Sequence, residues 1–201
     1  MLQLHFMKNL SILIGFLLFI STSLKAQWSA DTTNVSNGFT GINFESNNIG
    51  YGTQPSKVYK TTNAGHTWQT VKNSSYSFLE HVVATSEDTA FAFGTYSYIY
   101  FTHNSGQTWD SAYFDSTTSF LYAHAFSHNN IWFIGYRFDY TILYKTMDGG
   151  QTFTQDTIQG IIGCQDLEVA KNGRIYLAGM KINFNDRSIV YSDDQGLTWN
   201  T

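Results

Sequence analysis

The sequence predicts an all-β chain, a β-propeller whose blades are four-stranded antiparallel sheets. Three observations predict it. An eight-residue pattern recurs four times at near-constant spacing, and short apolar runs of strand length precede each copy. The chain also holds 34 aromatic residues (5 Trp, 13 Tyr, 16 Phe) against one Pro, in 201 residues. A disordered chain lacks this much aromatic surface, a disulfide-stapled mini-protein needs paired cysteines, and a collagen-like chain needs Pro and a strict Gly period.

The N-terminus reads as an export leader rather than as part of the fold. Lys8 precedes the apolar run Ile12 to Ile20, then comes the small polar group Ser21-Thr22-Ser23, with a cleavage point after Ala26. That is the layout of a signal peptide, and the run is shorter than the roughly 20 residues of a membrane span. Met7-Lys8-Asn9 offers a second, more compact start, and Leu24 is large for its place before the cut. Residues 1–26 are therefore expected to be a signal peptide and residues 27–201 one propeller domain. The mature chain has no integral membrane span in this reading.

Removing Lys8 and Lys25 with the leader takes the formal net charge from −4 to −6. An acidic exported chain argues against a nucleic-acid partner held through its phosphates. Cys164 is the only cysteine, so it forms no intrachain disulfide and reads as a small buried apolar residue.

The four copies align without gaps. They are Thr61-Thr62-Asn63-Ala64-Gly65-His66-Thr67-Trp68, Thr102 to Trp109, Thr146 to Phe153, and Ser192 to Trp199. The shared pattern is Ser/Thr-x-Asp/Asn-x-Gly-x-Thr-Trp/Phe, and from Gly65 to Gly106, Gly150 and Gly196 the steps are 41, 44 and 46 residues. Asp or Asn accepts hydrogen bonds from main-chain N–H groups just downstream, and Gly supplies the positive φ that closes a tight turn. The following Thr and aromatic residue begin the return strand. Asn63, Gly65, Trp68, Asn104, Gly106, Trp109, Asp148, Gly150, Phe153, Asp194, Gly196 and Trp199 are thus structural positions.

Each unit then supplies four strands. Ile42 to Phe44, His81 to Ala84, His124 to Phe126 and Leu167 to Ala170 are the first. Ile49 to Gly52, Phe91 to Gly94, Trp132 to Gly135 and Tyr176 to Gly179 are the second, each ending in Gly. A third, such as Val58-Tyr59-Lys60 or Leu143-Tyr144-Lys145, runs into the turn, and a fourth follows the aromatic residue. Four strands in 40 to 46 residues make a propeller blade. Trp28 stands 40 residues before Trp68, one period, and reads as an orphan fourth strand able to complete the last blade and hide its edge.

In these residues the chain resembles the Asp-box (BNR repeat) propellers. The stretch from Gly50-Tyr51-Gly52 through Val58-Tyr59-Lys60 to Trp68 is most similar to the repeats of photosystem II stability/assembly factor-like proteins. The resemblance covers residues 28–201 and implies the fold; related repeats occur in sialidases, xyloglucan-active glycoside hydrolases and sortilin-type receptors. Asn63 and Asn104 depart from the family's Asp, and four repeats are fewer than its usual six or more blades. The four are either a small ring or part of a larger propeller.

Enzyme chemistry finds little support. A sialidase, as the resemblance implies it, clamps a carboxylate with three arginines, and the chain has only Arg137, Arg174 and Arg187, of which Arg174 lies on the side of the repeated turns. Glu80, Asp115, Asp139, Asp166 and Asp186 are the loop acids available for a paired-carboxylate hydrolase. His124 and His128, four apart on a strand, are separated by about 13 Å, too far to share a metal. Asp148 and Asp193-Asp194 read as turn caps rather than as calcium ligands, and every Gly belongs to a turn or strand end, so no phosphate loop remains. The expectation is no catalytic residue, no metal and no cofactor.

One surface remains. The loops joining second and third strands hold Tyr96 and Tyr98, then Tyr136, Arg137, Phe138, Asp139 and Tyr140, then Lys181, Asn183, Phe184, Asn185 and Arg187. Aromatic and Arg side chains clustered on loops of one face suit a protein or glycan ligand. Tyr96, Tyr98, Tyr136, Arg137, Tyr140, Phe184 and Arg187 are the candidate binding residues. The reading is an exported, non-enzymatic binding or assembly module, with part of a sialidase-like or xyloglucan-active hydrolase as the alternative.

Overall fold

The computed structural model describes residues 34–138, 140–181 and 187–200. The leader at 1–26, Trp28, Asp139, Asn183, Phe184, Asn185, Asp186 and Thr201 lie outside the described residues, as does the side chain of Lys181. The described residues form strands and turns with no helix.

The first sheet is β1 (Gly41–Phe44), β2 (Gly50–Gln54), β3 (Lys57–Thr61) and β4 (Gln69–Asn73), antiparallel and in chain order. The second is β5 (Phe78–Ala84), β6 (Ala90–Thr95), β7 (Tyr98–Thr102) and β8 (Asp110–Tyr113). The third is β9 (Ser119–Ala125), β10 (Ile131–Arg137), β11 (Tyr140–Thr146) and β12 (Thr154–Ile158). The fourth has β13 (Ile161–Val169), β14 (Ile175–Lys181) and β15 (Arg187–Ser192). Beside it, Tyr191 and Asn200 form one antiparallel bridge and exchange both backbone hydrogen bonds at 2.8 Å.

The eight-residue pattern links third and fourth strands in every sheet, and one hydroxyl organises it. Thr61, Thr102, Thr146 and Ser192 each accept the N–H of the glycine four residues on, at 3.0, 3.0, 2.7 and 2.8 Å. The same hydroxyls donate to Asn63, Asn104, Asp148 and Asp194 at 2.9, 3.0, 2.9 and 2.7 Å. Each Asn or Asp oxygen also accepts the N–H of Thr67, Thr108, Thr152 or Thr198 at 2.9 Å. Asn serves as well as Asp because the final bond reverses. Asn63 and Asn104 donate Nδ2–H to Thr67 and Thr108, whereas Thr152 and Thr198 donate O–H to Asp148 and Asp194.

Consecutive sheets pack face to face, leaving three apolar seams. Tyr51 and Val58 meet Val82, Ala84, Ala90 and Ala92 at the first. Phe91, Phe93, Ile99 and Phe101 meet Ile131, Phe133 and Tyr144 at the second. Trp132, Ile134 and Leu143 meet Leu167, Ile175, Leu177 and Val190 at the third, where Cys164 is also fully buried and its thiol is pushed up to about 11 by that burial. Each Val, Leu, Ile or Phe among them contributes roughly 1.5–3 kcal/mol by leaving water. The turn of one sheet rests on the sheet before it: a Cβ on Gly106 would stand 2.9 Å from Cβ of Val71, and one on Gly150 would stand 3.2 Å from the ring of Phe101. Lys60 and Lys145 cross two seams, donating to the carbonyls of Glu87 (2.9 Å) and of Gln195 and Gly196 (3.1 and 3.3 Å).

Three corrections to the sequence reading have one physical cause. β5, β9 and β13 start three, five and six residues earlier than the apolar runs at His81, His124 and Leu167 suggest. Each contains a β-bulge, at Leu79/His81, at the partners of Ile134/Gly135, and at Ile162/Asp166, which interrupts the alternation that marks a strand. The bulged strand also crosses its neighbour closely, which is why Gly ends the second strand: a Cβ on Gly94 would lie 2.1 Å from the carbonyl oxygen of Phe78. The pairing register makes Gln54, not Gly52, the counterpart of Gly94 in the first sheet, whose short β1 carries no bulge. Finally, Glu80 and Asp166 are strand residues at or beside bulges, not loop acids.

These contacts predict how glycine substitutions differ. Gly106 and Gly160 have similar φ, +83° and +80°, but a Cβ on Gly160 meets nothing within 4 Å. Gly160→Ala should cost only the left-handed backbone strain, about 1 kcal/mol. Gly106→Ala should cost that plus displacement of Val71, about 2–4 kcal/mol in all, so thermal melts should show a clearly larger fall for Gly106→Ala.

Candidate functional site

The repeated turns and the links between first and second strands share one end of the sheets, as the backbone bonds from Ala64, Ser105 and Gly149 to Asn48, Asp88 and Asn129 show. The links between second and third strands lie at the opposite end. The first three are tight hairpins rather than loops: Pro55-Ser56, Tyr96-Ser97, and one with Phe138 at its tip. Tyr98, Tyr136, Arg137 and Tyr140 are accordingly strand residues next to hairpins, and Arg187 is the first residue of β15.

The second hairpin is strained. Tyr96 and Ser97 both take positive φ, +68° and +63°. Hairpin turns favour that handedness, but there Asn and Gly adopt it most readily. What holds it is a network beneath. Ser97 is fully buried and donates to the carbonyl of Thr118 at 2.8 Å and to Asp115 at 3.3 Å, and its own carbonyl accepts from the N–H of Phe114 at 3.2 Å. Tyr96 is left at the tip, 62% exposed, and Phe138 at the next tip, also at positive φ, is 67% exposed.

Asp115 is the hub of this network. Its carboxylate accepts from Thr117 N–H (2.6 Å) and O–H (2.9 Å), Thr118 N–H (2.7 Å) and O–H (2.7 Å), Ser97, and Arg137 at 3.4 Å. Partial burial works to raise its pKa, but the bonds from Thr118 and Thr117 together outweigh burial and hold it well below the usual carboxylate range. Asp115 is therefore ionised at neutral pH and unable to act as a general acid, and its lone pairs are already engaged. Asp166 accepts the N–H of Leu167, at 2.9 Å.

Around this hub the rings form a ladder on the second sheet. Tyr98 lies 4.9 Å from Tyr113, 5.6 Å from Tyr100 and 6.4 Å from Tyr76, ring centre to ring centre. Lys72 sits 4.8 Å over Tyr100, whose hydroxyl accepts from Ser74 at 3.2 Å. Tyr76 and Tyr113 are 74% and 55% exposed. The sequence reading missed both. Tyr76 stands in a Ser-Ser-Tyr-Ser connection without periodicity, whereas the Tyr98–Tyr113 pairing across β7 and β8 follows only from the register.

Of the candidate binding residues, Tyr98 joins this ladder, with Tyr96 at the adjacent hairpin tip. Tyr136, Arg137 and Tyr140 stand beside the third hairpin, tied to the second sheet by the Arg137–Asp115 pair. No ring contact joins the two groups among the described residues. Arg187 begins β15 and lines a separate cleft of about 500 Å³ with Gln165, Ala178, Gly179, Ser188 and Ile189. Phe184 lies outside the described residues. No cluster of three metal-binding side chains occurs among the described residues, and no helix among them is long and apolar enough to cross a membrane.

Among the described residues, three facing sheets of four strands, a fourth of three, and a turn of one design in each make a β-propeller-like fold. Solved structures share this fold. An ancestral GH74 enzyme matches 82% of the chain with a TM-score of 0.64 at 11% identity. YCF48 from Cyanidioschyzon merolae matches 80% with a TM-score of 0.57 at 13% identity, and YCF48 bound to D1 peptide matches 80% with a TM-score of 0.50 at 12% identity. The chain spans a quarter of the GH74 enzyme, just over half of the C. merolae protein and 80% of the peptide-bound one. No family model and no curated protein matches the sequence.

Asp115→Ala strands the N–H groups of Thr117 and Thr118 and takes the shorter of two partners from the buried Thr118 hydroxyl. It should destabilise the protein by about 2–3 kcal/mol. Arg137→Ala removes only a half-exposed ion pair and should cost less than about 1 kcal/mol. Chemical denaturation of the two variants checks the contrast.

Proposed function

We propose that the chain is an exported, non-enzymatic propeller that binds a protein or glycan through the hairpin end of its second and third sheets. The observation that carries the reading is the ladder of exposed Tyr76 and Tyr113 about half-buried Tyr98, beside the strained tip at Tyr96. Tyrosine gives large, rigid contact area with a polar rim at low entropic cost, and its flat ring suits both peptide and sugar surfaces. A left-handed hairpin tip without glycine, maintained by the partly buried Asp115 carboxylate network, keeps that ladder and tip in fixed positions.

The saturated hydrogen bonding of Asp115 supports the non-enzymatic reading, since a hydrolase needs one carboxyl that holds a proton and one free to act on substrate or water. The occurrence of this fold in YCF48 bound to a peptide supports a protein ligand, and its occurrence in a GH74 enzyme supports a glycan. The leader-like residues 1–26 support export, with the mature chain starting at Gln27.

The test is selection from peptide and glycan libraries on the purified chain, with Tyr76→Ser/Tyr98→Ser/Tyr113→Ser and Tyr136→Ala/Arg137→Ala/Tyr140→Ala as counter-screens. Ligands should lose at least about tenfold in affinity against one of the triple variants, while far-UV circular dichroism shows the fold retained. Ligands indifferent to both variants contradict the assignment. Turnover of a polymeric glycan that vanishes in Asp166→Asn would favour the hydrolase instead.

A further inference from the structure

Register makes the turn ends of the three seams comparable place by place. Tyr51, Phe91 and Trp132 occupy one position on the second strands, and Lys60, Phe101 and Lys145 pair with them on the third. Thr62, His103 and Met147 follow, at the second place of the repeated turn. In the second seam His103 fills this end. Its ring lies 6.4 and 5.8 Å from those of Phe91 and Phe101, edge to face, and its Nε2–H donates to the carbonyl of Gly149 at 2.9 Å, while Nδ1 stands 3.4 Å from the hydroxyl of Thr89. In the first seam the Tyr51 hydroxyl and the Lys60 ammonium share the carbonyl of Glu87, at 3.1 and 2.9 Å.

The third seam has neither arrangement. Met147 stands in the place of His103 but is 64% exposed, and with Leu197 of the next turn, 81% exposed, it lines a cleft of about 350 Å³ between the third and fourth sheets. The charged groups in the wall of this cleft are already engaged. Lys145 donates to the carbonyls of Gln195 and Gly196, and the Asp194 carboxylate accepts from Ser192, Leu197 and Thr198. Two neutral groups in the same wall are not. The indole N–H of Trp132, a residue only 4% exposed, and the amide oxygen of Asn130 are buried and have no hydrogen-bond partner among the described residues. Asn130 is the counterpart of Thr89, since their carbonyls accept from Phe126 and Thr85 in the same way. A buried donor and a buried acceptor left unpaired are costly, so the pair marks a place for a third group that satisfies both.

We propose that this cleft binds a small neutral nitrogen heterocycle, whose ring nitrogen accepts from the Trp132 indole and whose N–H donates to Asn130. The ligand does for the third seam what the His103 imidazole does for the second from within the chain. A charged ligand would lose its hydration without gaining an ion pair, because Lys145 and Asp194 are already bonded. The Lys145 ammonium, 4.3 Å over the Trp132 ring, also opposes a protonated one. The apolar body of the heterocycle would be covered by Met147, whose flexible thioether adapts to a flat ring, and by Leu197. This site is at the repeated-turn end of the sheets, away from the tyrosine ladder, and does not rest on the function proposed for that ladder.

Benzimidazole at a pH where it is neutral is the probe, read by the indole N–H resonance of Trp132 in nitrogen-15-labelled protein and by calorimetry. That resonance should shift saturably on titration. Met147→His, which supplies the ring from within the chain, should abolish the shift. Trp132→Phe and Asn130→Ala each remove one of the two hydrogen-bonding groups and should weaken binding at least about tenfold. N-methylacetamide, which offers a donor and an acceptor without the ring, should bind the unaltered protein at least about tenfold more weakly than benzimidazole. Far-UV circular dichroism identifies the variants that keep the fold. A Trp132 resonance that does not shift saturably, as for a cleft that takes only water, overturns the proposal. Undiminished binding in any folded variant, or amide binding as tight as that of benzimidazole, overturns it equally.

Discussion

The hydroxyls of Thr61, Thr102, Thr146 and Ser192 each tie three points of a turn with one atom, accepting from a glycine N–H and donating to Asn or Asp. All four residues are buried, so any one of these groups left unpaired would carry its full desolvation cost. The bonding forces positive φ on the glycine and on the residue before it, and in the last three sheets it presses the glycine onto the sheet before. The turn therefore does two jobs. It reverses the chain between third and fourth strands, and it sets the spacing at which one sheet meets the next.

Given that spacing, the seams follow from side-chain volume. The bulky Phe93 and Phe101 of the second sheet face the small Ala123 and Ala125 beside Phe133, while the small Ala90 and Ala92 face Tyr51. At the other end of the strands the constraint is different, because no repeated turn organises the hairpins. There the Asp115 carboxylate takes over, fixing a hairpin whose two residues both have left-handed backbone. Tyr76, Tyr96 and Tyr113 beside it are exposed, whereas Tyr98 between them packs against the first seam.

Much of the fold was legible from residues alone. A Gly at near-fixed spacing, with Thr or Ser four residues before and an aromatic three after, marks a turn whose side-chain bonds are local, so its geometry is legible in eight residues. The bulged halves of β5, β9 and β13 were not legible, because a bulge shifts the alternation that reveals a strand and its cause, the close pass of Phe78 over Gly94, lies far away in sequence. The site was legible only in part. Tyr96 and Tyr98 announce themselves beside a hairpin, but Tyr113 joins them through register and Tyr76 through the path of a connection. Asp115 looks like an available acid in the sequence; Ser97, Thr117, Thr118 and Arg137 make it a structural one.

The claim on which the rest depends is that the turn glycines are part of the packed seams rather than of mobile loops. Amide hydrogen exchange reads this directly. The account predicts that the N–H groups of Gly106, Gly150 and Gly196 exchange as slowly as those of the central strand β10. Exchange of Gly106, Gly150 and Gly196 at the rate of an open turn such as Gly160 would contradict it.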